Sequence, residues 1–382
     1  MEKAIVDLAE TLRAAVAEQA SDVILKDGRA PMFRIKGELT EWQASPPLSA
    51  GELDDMARTL MHDDAQRMRF ATERHVDLAF DKPGLGRFRV HVFRQRGSVG
   101  VAFRVIPPEV RQIAQLNLPP VVARLADERR GLVLVTGPTG SGKTTTLAAM
   151  IEHINRTSAR HIVTIEDPIE YVHHERRSII SQREIGEDVN DYPSALQAAL
   201  RQNPDVIMVG EMRDLKTMET ALTAAETGHL VMSTLHTSDA PETVTRLVSS
   251  FPEDRRDQIR IILATVLRAV VSQRLLPRSD IPGLVPAVEI MTGTLRIREY
   301  IEKQRVRDLA ELIAQGQGYG MQTFDQSLLT LFRTGRVHYT DALAHCRNQA
   351  DFEMQARGIE AGSSSRTTFE VRDAVPERRT QP

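Results

Sequence analysis

The chain has 382 residues, with 49 basic and 52 acidic side chains and a formal net charge of −3. This length can bury two hydrophobic cores, so we expect two domains and a tail. The charge gives no general attraction to nucleic acid, and the single cysteine, Cys346, excludes an internal disulfide and a four-cysteine zinc module. Residues 1–19 do not read as a signal peptide. The longest apolar stretch, Ile259–Val271, contains two arginines and is too short to span a bilayer, so we expect a cytoplasmic protein.

Residues 1–106 are predicted to form a small α+β domain, because short strand-like runs alternate with glycine turns and one amphipathic helix. The predicted strands and helix, in chain order, are Asp22–Leu25, Met32–Ile35, a helix over Ala50–Met61, His75–Phe80, Arg87–Phe93 and Gly100–Val105.

Arginines are dense in the last strands of this region. The ordinary interpretation is that they are solvated side chains on a half-exposed sheet. The alternative is that one or two act as arginine fingers on the γ-phosphate of a neighbouring nucleotide, an effect worth about 10³–10⁵ in rate. We take Arg94 and Arg96 as the candidates to test, although the sequence alone does not choose among the arginines of these strands.

A proline-rich linker is predicted over residues 107–117, and a second domain over residues 118–347. Four apolar runs separated by helix-length segments are typical of a parallel α/β sheet. These runs are Leu132–Thr136, His161–Ile165, Asp205–Val209 and Leu230–Leu235. Residues 348–382 are predicted to be a carboxy-terminal extension, largely a disordered tail, because the composition beyond Gly358 is polar and lacks apolar periodicity.

The first of these runs leads into a phosphate-binding loop of the form G-x-x-x-x-G-K-[ST]. Its glycines let backbone N–H groups close on an anion, and the following helix adds a favourable dipole. We expect Lys143 to reach the β- and γ-phosphates of ATP and the Thr144 hydroxyl to ligate Mg²⁺. The predicted nucleotide-binding residues are Gly137, Pro138, Thr139, Gly140, Ser141, Gly142, Lys143, Thr144 and Thr145.

Titratable residues follow each of the other three runs, and the carboxyl ends of parallel strands share one edge of a sheet. Glu166 is our candidate general base for the attacking water, and Glu211 our candidate for holding Mg²⁺ through its water shell. His236 is expected at this edge, where it could sense the γ-phosphate. His229 is expected at the far edge, in a subunit contact. We interpret His173 and its neighbour His174 as solvated members of a charged loop.

Four motifs occur in order along the chain: GPTGSGKTTT, TIEDPIEYV, DVIMVGEMRD and TAAETGHLVMSTLHTSDA. They resemble the Walker A segment, Asp box, Walker B segment and His box of the secretion ATPase superfamily, in particular of the type IV pilus retraction ATPases of the PilT and PilU kind. The resemblance covers roughly residues 1–350. It implies that Glu166 is the catalytic carboxylate, Glu211 the Walker B acid, and His229 and His236 the His-box pair.

The same resemblance implies a PAS-like amino-terminal domain followed by a RecA-like ATPase domain, and a hexameric ring that uses ATP and Mg²⁺. Nucleotides would lie in the cleft between the two domains, and their state would drive domain rotation. The expected partners are five further copies, an inner-membrane pilus platform protein and a paralogous retraction ATPase, with no nucleic acid. The implied location is cytoplasmic, at the inner-membrane base of the pilus.

Two features depart from the PilT pattern. Its late motif Ala-Ile-Arg-Asn-Leu-Ile corresponds here to Arg296–Ile301, which keeps only the second, third and last positions. The segment Gly320–Gln326 and the carboxy-terminal extension look more like the PilU branch. Three other functions remain open at this point: an assembly or secretion motor of the same superfamily, a nucleic-acid translocase, and an accessory ring subunit that binds nucleotide without hydrolysing it.

Overall fold

The structure, a computed structural model, describes residues 7–35, 37–106 and 109–358. Its strands are β1 (Asp22–Leu25), β2 (Met32–Ile35), β3 (Glu38–Glu41), β4 (His75–Lys82), β5 (Gly86–Gln95), β6 (Ser98–Val105), β7 (Gly131–Thr136), β8 (His161–Glu166), β9 (Ile179–Glu184), β10 (Val206–Val209), β11 (Leu230–Leu235), β12 (Leu267–Pro277) and β13 (Leu284–Thr292).

The α-helices of the same residues are α1 (Leu8–Ala17), α2 (Ala50–Leu60), α3 (Asp64–Glu73), α4 (Val121–Ala126), α5 (Lys143–Thr157), α6 (Tyr192–Ala199), α7 (Leu215–Glu226), α8 (Ala240–Ser249), α9 (Arg256–Val266), α10 (Leu295–Glu302), α11 (Leu309–Gln315), α12 (Phe324–Arg333), α13 (Tyr339–His345) and α14 (Gln349–Ala356). In the described part of the chain, no helix has the length and apolar character needed to cross a bilayer.

The first six strands form one antiparallel sheet in the order β3-β2-β1-β6-β5-β4. Phe88, Val90 and Val92 alternate along β5 and are completely buried, as expected of a sheet with one face on a core. Helices α1, α2 and α3 contribute to the same core. Neither β3, whose four residues are all exposed, nor α3, in which only Phe70 is buried, was predicted from the sequence.

The remaining strands form a second sheet in the order β13-β12-β7-β11-β10-β8-β9, in which only β13 is antiparallel to its neighbour. All six residues of β7 are buried, because the sheet is covered on both faces. Leu132 and Leu134 pack in the core on the side of α6–α11, whereas Val133 and Val135 pack in the core on the side of α4 and α5.

The sequence predicted four strands for this sheet, which is too few, because β9, β12 and β13 also belong to it. The edge strand β9 was overlooked because its sequence is largely polar and Ile179 is 63% exposed. The apolar stretch Ile259–Val271 belongs to two elements, because α9 ends at Val266 and β12 starts at Leu267.

A carboxy-terminal group of helices packs on the antiparallel end of this sheet. Helices α12–α14 share a core with Val285 and Ala287 of β13, and Phe352 of α14 is 2% exposed. The carboxy-terminal extension predicted from residue 348 thus begins with a packed helix. Its remainder, residues 359–382, lies outside the described residues, as do Pro107 and Pro108 of the predicted linker.

An ionic link joins these helices to the loop that follows β11. The Arg347 guanidinium pairs with the carboxylate of Asp239, which caps the start of α8. The backbone N–H of Arg347 donates to Asp325 Oδ1 of α12 at 2.7 Å. From β13, Glu289 Oε1 accepts the N–H of Ala240 at 2.9 Å. The loop after β11 is therefore held from both the helical group and the sheet.

Polar side chains connect the amino-terminal domain to the edge of the second sheet. Arg87 of β5 pairs with Glu184 of β9 at 2.5 Å, and the two side chains are only 19% and 7% exposed. Gln66 of α3 donates to Glu187 at 2.9 Å. Because Glu184 Oε2 also accepts the N–H of Ile169, a single buried carboxylate links the amino-terminal sheet to the loop after β8.

The Arg87→Leu substitution tests this link. Removing the cation leaves Glu184 buried without its partner, and breaking such a pair costs about 3–5 kcal/mol when both groups are fully buried. Since Arg87 keeps some exposure, we expect a loss of roughly 2–3 kcal/mol in the free energy of unfolding, measured by urea denaturation at pH 7.

Arg104→Leu is the matched control, because Arg104 pairs with Asp22 on the same sheet but is 66% exposed. Exposed pairs are worth at most about 1 kcal/mol. Equal losses in the two variants would contradict a special role for Arg87.

Candidate active site

The predicted phosphate-binding loop connects β7 to α5. Gly137 and Gly142 adopt φ angles of 144° and 87°, which side chains with a Cβ rarely adopt. A Cβ on Gly137 would also lie 2.4 Å from the carbonyl oxygen of Gln273 on β12. The loop therefore requires glycine at this position both for its backbone conformation and for its close approach to the next strand.

The polar groups of this loop fit a phosphate ligand. Ser141 is 3% exposed, and its Oγ has no hydrogen-bond partner among the described residues. Lys143 is 8% exposed, and its Nζ donates to the carbonyl oxygens of Gly137 at 2.9 Å and Pro138 at 3.0 Å. Thr144 lies half-buried in the first turn of α5, and Thr139 and Gly140 are exposed at the tip of the loop.

Glu166 is the last residue of β8 and is 4% exposed. Its Oε1 accepts hydrogen bonds from Thr164 Oγ1 at 2.8 Å and from Gln182 Nε2 at 3.1 Å. Burial raises the pKa of the Glu166 carboxyl, and the two hydrogen bonds oppose that shift because they favour the charged form. Both donors bind the same oxygen, which fixes the orientation of the carboxylate.

Glu211 lies two residues beyond the end of β10, and its side chain is 17% exposed. One oxygen pairs with Arg213 at 2.8 Å, and the other lies 3.3 Å from Nε2 of His236, the residue that follows β11. Asp214 caps α7 by accepting the N–H of Thr217. This hydrogen bond fixes the end of the short loop that runs from β10 to α7 and carries Glu211. Glu211 and His236 are therefore in direct contact at the edge that carries the phosphate loop.

The loop after β8 folds back over the start of α5. The hydroxyl of Tyr171 lies 2.9 Å from Oγ1 of Thr145, one of the predicted nucleotide-binding residues. Burial lowers the pKa of Lys143, and the nearby carboxylates of Glu211 and then Glu170 oppose that shift. The carboxylates that follow two strand ends are thus near enough to the Lys143 ammonium to influence its charge.

Sequence reasoning missed Tyr192, the first residue of α6. Burial raises the pKa of its phenol, and the negative charges of Asp167, Glu211 and Glu166 raise it further. A Cβ on Gly210 would lie 3.1 Å from the Tyr192 hydroxyl. The hydroxyl thus lies among the carboxylates of two strand ends, and only the tertiary fold shows this.

Gln182 and His173 are also part of the site's surroundings. Gln182 Oε1 accepts the N–H of His173 at 2.8 Å, and Gln182 Nε2 also donates to the carbonyl oxygen of Tyr171 at 2.8 Å. The expectation that His173 is solvated was wrong: its side chain is 1% exposed, with Nδ1 3.9 Å from Oε2 of Glu152. The imidazole lies beside Glu152 of α5, whereas His174 is exposed.

The other predicted residues lie away from this edge. His229 precedes β11 at the opposite end of the strand, and its Nδ1 lies 3.0 Å from the carbonyl oxygen of Ala224. Arg94 and Arg96 are exposed at the β5–β6 turn, where Arg94 stacks over Phe70. Seven residues of strand, about 23 Å, separate Arg94 from Arg87 at the contact between the sheets.

A cavity of about 300 Å³ opens beside the phosphate loop. Leu116, Leu275 and Pro286 provide apolar walls, and Arg111 and Asn117 provide polar groups. This volume is at the small end of ligand cavities, and its mixed lining suits a planar heterocycle. Thr145 and Thr146 of α5 also border it, so a group bound there would be continuous with the phosphate loop.

This fold and this set of side chains are those of a RecA-like ATPase. The sequence matches the family model described as type II/IV secretion system protein over residues 2–298, so the chain belongs to that family. The predicted fold class, a RecA-like ATPase domain preceded by a small α+β PAS-like domain, is confirmed by the architecture and by the structural match below.

The chain is similar over nearly its whole length to pilus ATPases. It is 43% identical to the type IV pilus retraction ATPase PilT of Pseudomonas aeruginosa, covering 88% of this chain and 97% of that protein. It is 39% identical to the type IV pilus ATPase PilU of the same organism, covering 93% and 91%. The crystal structure of the pilus retraction motor PilT with bound ADP superposes with a TM-score of 0.85 at 42% identity, covering 91% of this chain and 99% of that one.

The Gln182→Leu substitution tests whether Gln182 orients and tunes Glu166. A base must be deprotonated, and loss of a hydrogen bond to the carboxylate raises its pKa further. We therefore expect a lower kcat for ATP hydrolysis at pH 7, partial recovery at higher pH and little change in KM.

Ser181→Ala, on the preceding residue of β9, is the control and should keep the wild-type profile. A Gln182→Leu variant whose pH–rate profile overlays that of the wild type would show that Gln182 has no influence on the base.

Proposed function

We propose that this protein is an ATP-hydrolysing motor, built as a ring of six copies, that drives retraction of type IV pili. The observation that carries the proposal is the convergence of Lys143, Glu211 and His236 at one sheet edge, in a chain that is similar to PilT along 97% of that protein.

ATP is the nucleotide of this proposal. Its phosphates lie along the loop from Gly137 to Thr145, with the ammonium of Lys143 on the β- and γ-phosphates. The unpartnered Ser141 hydroxyl supports a ligand with oxygen atoms at this position. The base of the nucleotide occupies the cavity next to α5. The ADP bound in the crystal structure of PilT agrees with a ligand of this class.

Mg²⁺ is the metal of this proposal. The Thr144 hydroxyl and, through water, the Glu211 carboxylate would hold it, since hard oxygen donors suit this ion. When bound, the ion neutralises charge that develops on the phosphates. His236, in contact with Glu211, responds to the presence of the γ-phosphate.

Glu166 acts as the general base in this mechanism. It accepts a proton from the attacking water, and its raised pKa supports that role because a base is most effective when its pKa is near the working pH. The hydrogen bonds from Thr164 and Gln182 both bind Oε1 and hold the carboxylate in place, and a backbone hydrogen bond from Glu170 also favours its charged form. Proton acceptance by a carboxylate contributes about 10²–10⁴ in rate.

Hydrolysis drives rotation of the amino-terminal domain against the ATPase domain within a hexamer. Arg94 and Arg96 act in trans on the nucleotide of the neighbouring copy, and His229 contributes to a subunit contact. The ring works at the cytoplasmic face of the inner membrane on the pilus platform protein, together with a paralogous ATPase and without nucleic acid. The domain limits that go with this proposal are 1–106, 107–117, 118–347 and 348–382.

Glu166→Gln tests the base. The amide cannot accept the proton, so we expect turnover to fall at least about 100-fold while ATP affinity stays within a few-fold of the wild type. Steady-state hydrolysis and equilibrium nucleotide binding measure the two effects. Glu302→Gln, at an exposed glutamate at the end of α10 that lies outside all four motifs, is the control. Unchanged turnover in Glu166→Gln would show that Glu166 is not the base.

Lys143→Ala is expected to weaken both nucleotide binding and hydrolysis.

Arg94→Ala and Arg96→Ala test the arginine fingers. If one of these arginines is a finger that acts in trans, its alanine variant should lose turnover by on the order of 10³-fold. The same variant should still form a hexamer, which light scattering measures. Arg104→Ala, on the same sheet, should hydrolyse ATP normally. Wild-type rates in both variants would assign these arginines to the solvated surface.

Pilus dynamics in cells test the direction of the motor. Deletion of the gene should leave cells with many pili that do not retract, and the wild-type protein but not Glu166→Gln should restore retraction. Restored pilus extension in a strain that lacks its assembly motor would instead identify an assembly ATPase. A purified protein that binds ATP without hydrolysing it would instead be an accessory ring subunit. ATP hydrolysis that is strongly stimulated by single-stranded DNA would identify a nucleic-acid translocase.

A further inference from the structure

A second polar cavity lies at the end of the ATPase sheet that is remote from the phosphate loop. It has a volume of about 580 Å³ and is bordered by residues of α4, the start of β12 and the start of α10. β7 and β12 run parallel and both begin at this end, whereas the phosphate loop follows the last residue of β7. The six residues of β7 therefore separate the two sites by about 20 Å.

Three arginines border this basic cavity: Arg124, Arg268 and Arg298. The carboxylate of Glu128 is the one acidic group that borders it, and its Oε2 lies 3.7 Å from Nε of Arg268. The lining therefore carries two net positive charges. Burial and then the positive charge of Arg298 lower the pKa of Arg268, which agrees with two like charges held close together.

The backbone holds two of these arginines in the cavity wall. Arg298 Nε donates to the carbonyl oxygen of Gly293 at 3.0 Å, and Arg268 Nε to that of Arg130 at 3.0 Å. Within the described part of the chain, neither Arg298 nor Arg124 has an acidic partner within 4.0 Å. These hydrogen bonds orient the guanidinium groups of Arg268 and Arg298, and of the three arginines only Arg268 has an acidic partner among the described residues, Glu128.

Two hydroxyl-bearing residues complete the lining. Thr292 Oγ1 is buried and has no hydrogen-bond partner among the described residues. Thr294 caps α10 by accepting the N–H of Ile297, so the positive end of a helix dipole also lies at this cavity. Apart from the Glu128 carboxylate, the charged and polar groups of the lining favour a negatively charged oxygen ligand.

We propose that the basic cavity formed by Arg124, Arg268 and Arg298 is a binding site for a phosphate group, separate from the nucleotide site. A phosphate monoester carries about −1.5 to −2 charges at pH 7, which matches the two net positive charges, whereas one carboxylate would neutralise only half of them. Guanidinium groups bind phosphate oxygens in pairs of parallel hydrogen bonds. The phosphate comes either from a soluble ligand or from an anionic lipid headgroup.

Calorimetric titration with pyrophosphate tests the site on the full-length protein. Saturating ADP and Mg²⁺ keep the phosphate loop occupied, so that pyrophosphate reports other sites. We expect binding to the wild type and at least a tenfold rise in Kd for both Arg298→Gln and Arg124→Gln. Arg129→Gln removes the same charge from an exposed neighbouring position outside the cavity, and its Kd should change less than twofold.

Arg124 is exposed, so Arg124→Gln tests the site even if Arg298→Gln loses its fold. Co-sedimentation with phosphatidylglycerol vesicles, against phosphatidylcholine vesicles, distinguishes the lipid source. The proposal is supported, and the phosphate assigned to a lipid headgroup, if the wild type and Arg129→Gln bind the anionic vesicles but Arg298→Gln and Arg124→Gln do not. Absence of both pyrophosphate and vesicle binding, or binding that Arg129→Gln reduces as much as the other two variants, would overturn it. Nucleotide hydrolysis by the variants does not enter this test.

Discussion

The register of four parallel strands is the constraint on which the active site depends. Leu235 pairs with Thr136, Val209 with Ser233, and Val209 also with Ile165, so β7, β11, β10 and β8 end within about two residues of one another. A shift by one residue would turn every side chain of a strand to the opposite face. The burial of both faces of these strands therefore fixes the height at which Glu166, Glu211 and His236 emerge from the sheet.

Register alone does not bring these residues to the phosphate loop, because β8 is three strands, or about 14 Å, from β7. The loop after β8 reduces this separation by folding back to α5, where Tyr171 meets Thr145. That loop is in turn held by Gln182, which binds both Glu166 and the backbone of Tyr171, and by Glu184, which binds Ile169. The edge strand β9 thus supplies the contacts that place the loop.

Local patterns in the sequence predicted the parts of the protein that local physics determines. The glycine and lysine spacing of the phosphate loop and the uninterrupted apolar runs of the central strands are signals of this kind, and Leu230–Leu235 was predicted to the residue. Polar edge strands gave no such signal, so β9 and the role of Gln182 were missed. The burial of His173 was misjudged because its sequence neighbours are charged, whereas its side chain lies beside Glu152 of α5, which is distant in the sequence.

The ionic link between Arg347 and Asp239 has a consequence for how the ATPase domain moves. Asp239 is three residues from His236, and Arg347 is tied through Asp325 to the carboxy-terminal helices. Glu289 holds the same turn from the sheet side, so the turn cannot shift alone. A displacement of this turn would therefore be transmitted to α12–α14, so the carboxy-terminal helical group is mechanically connected to the strand end that carries His236.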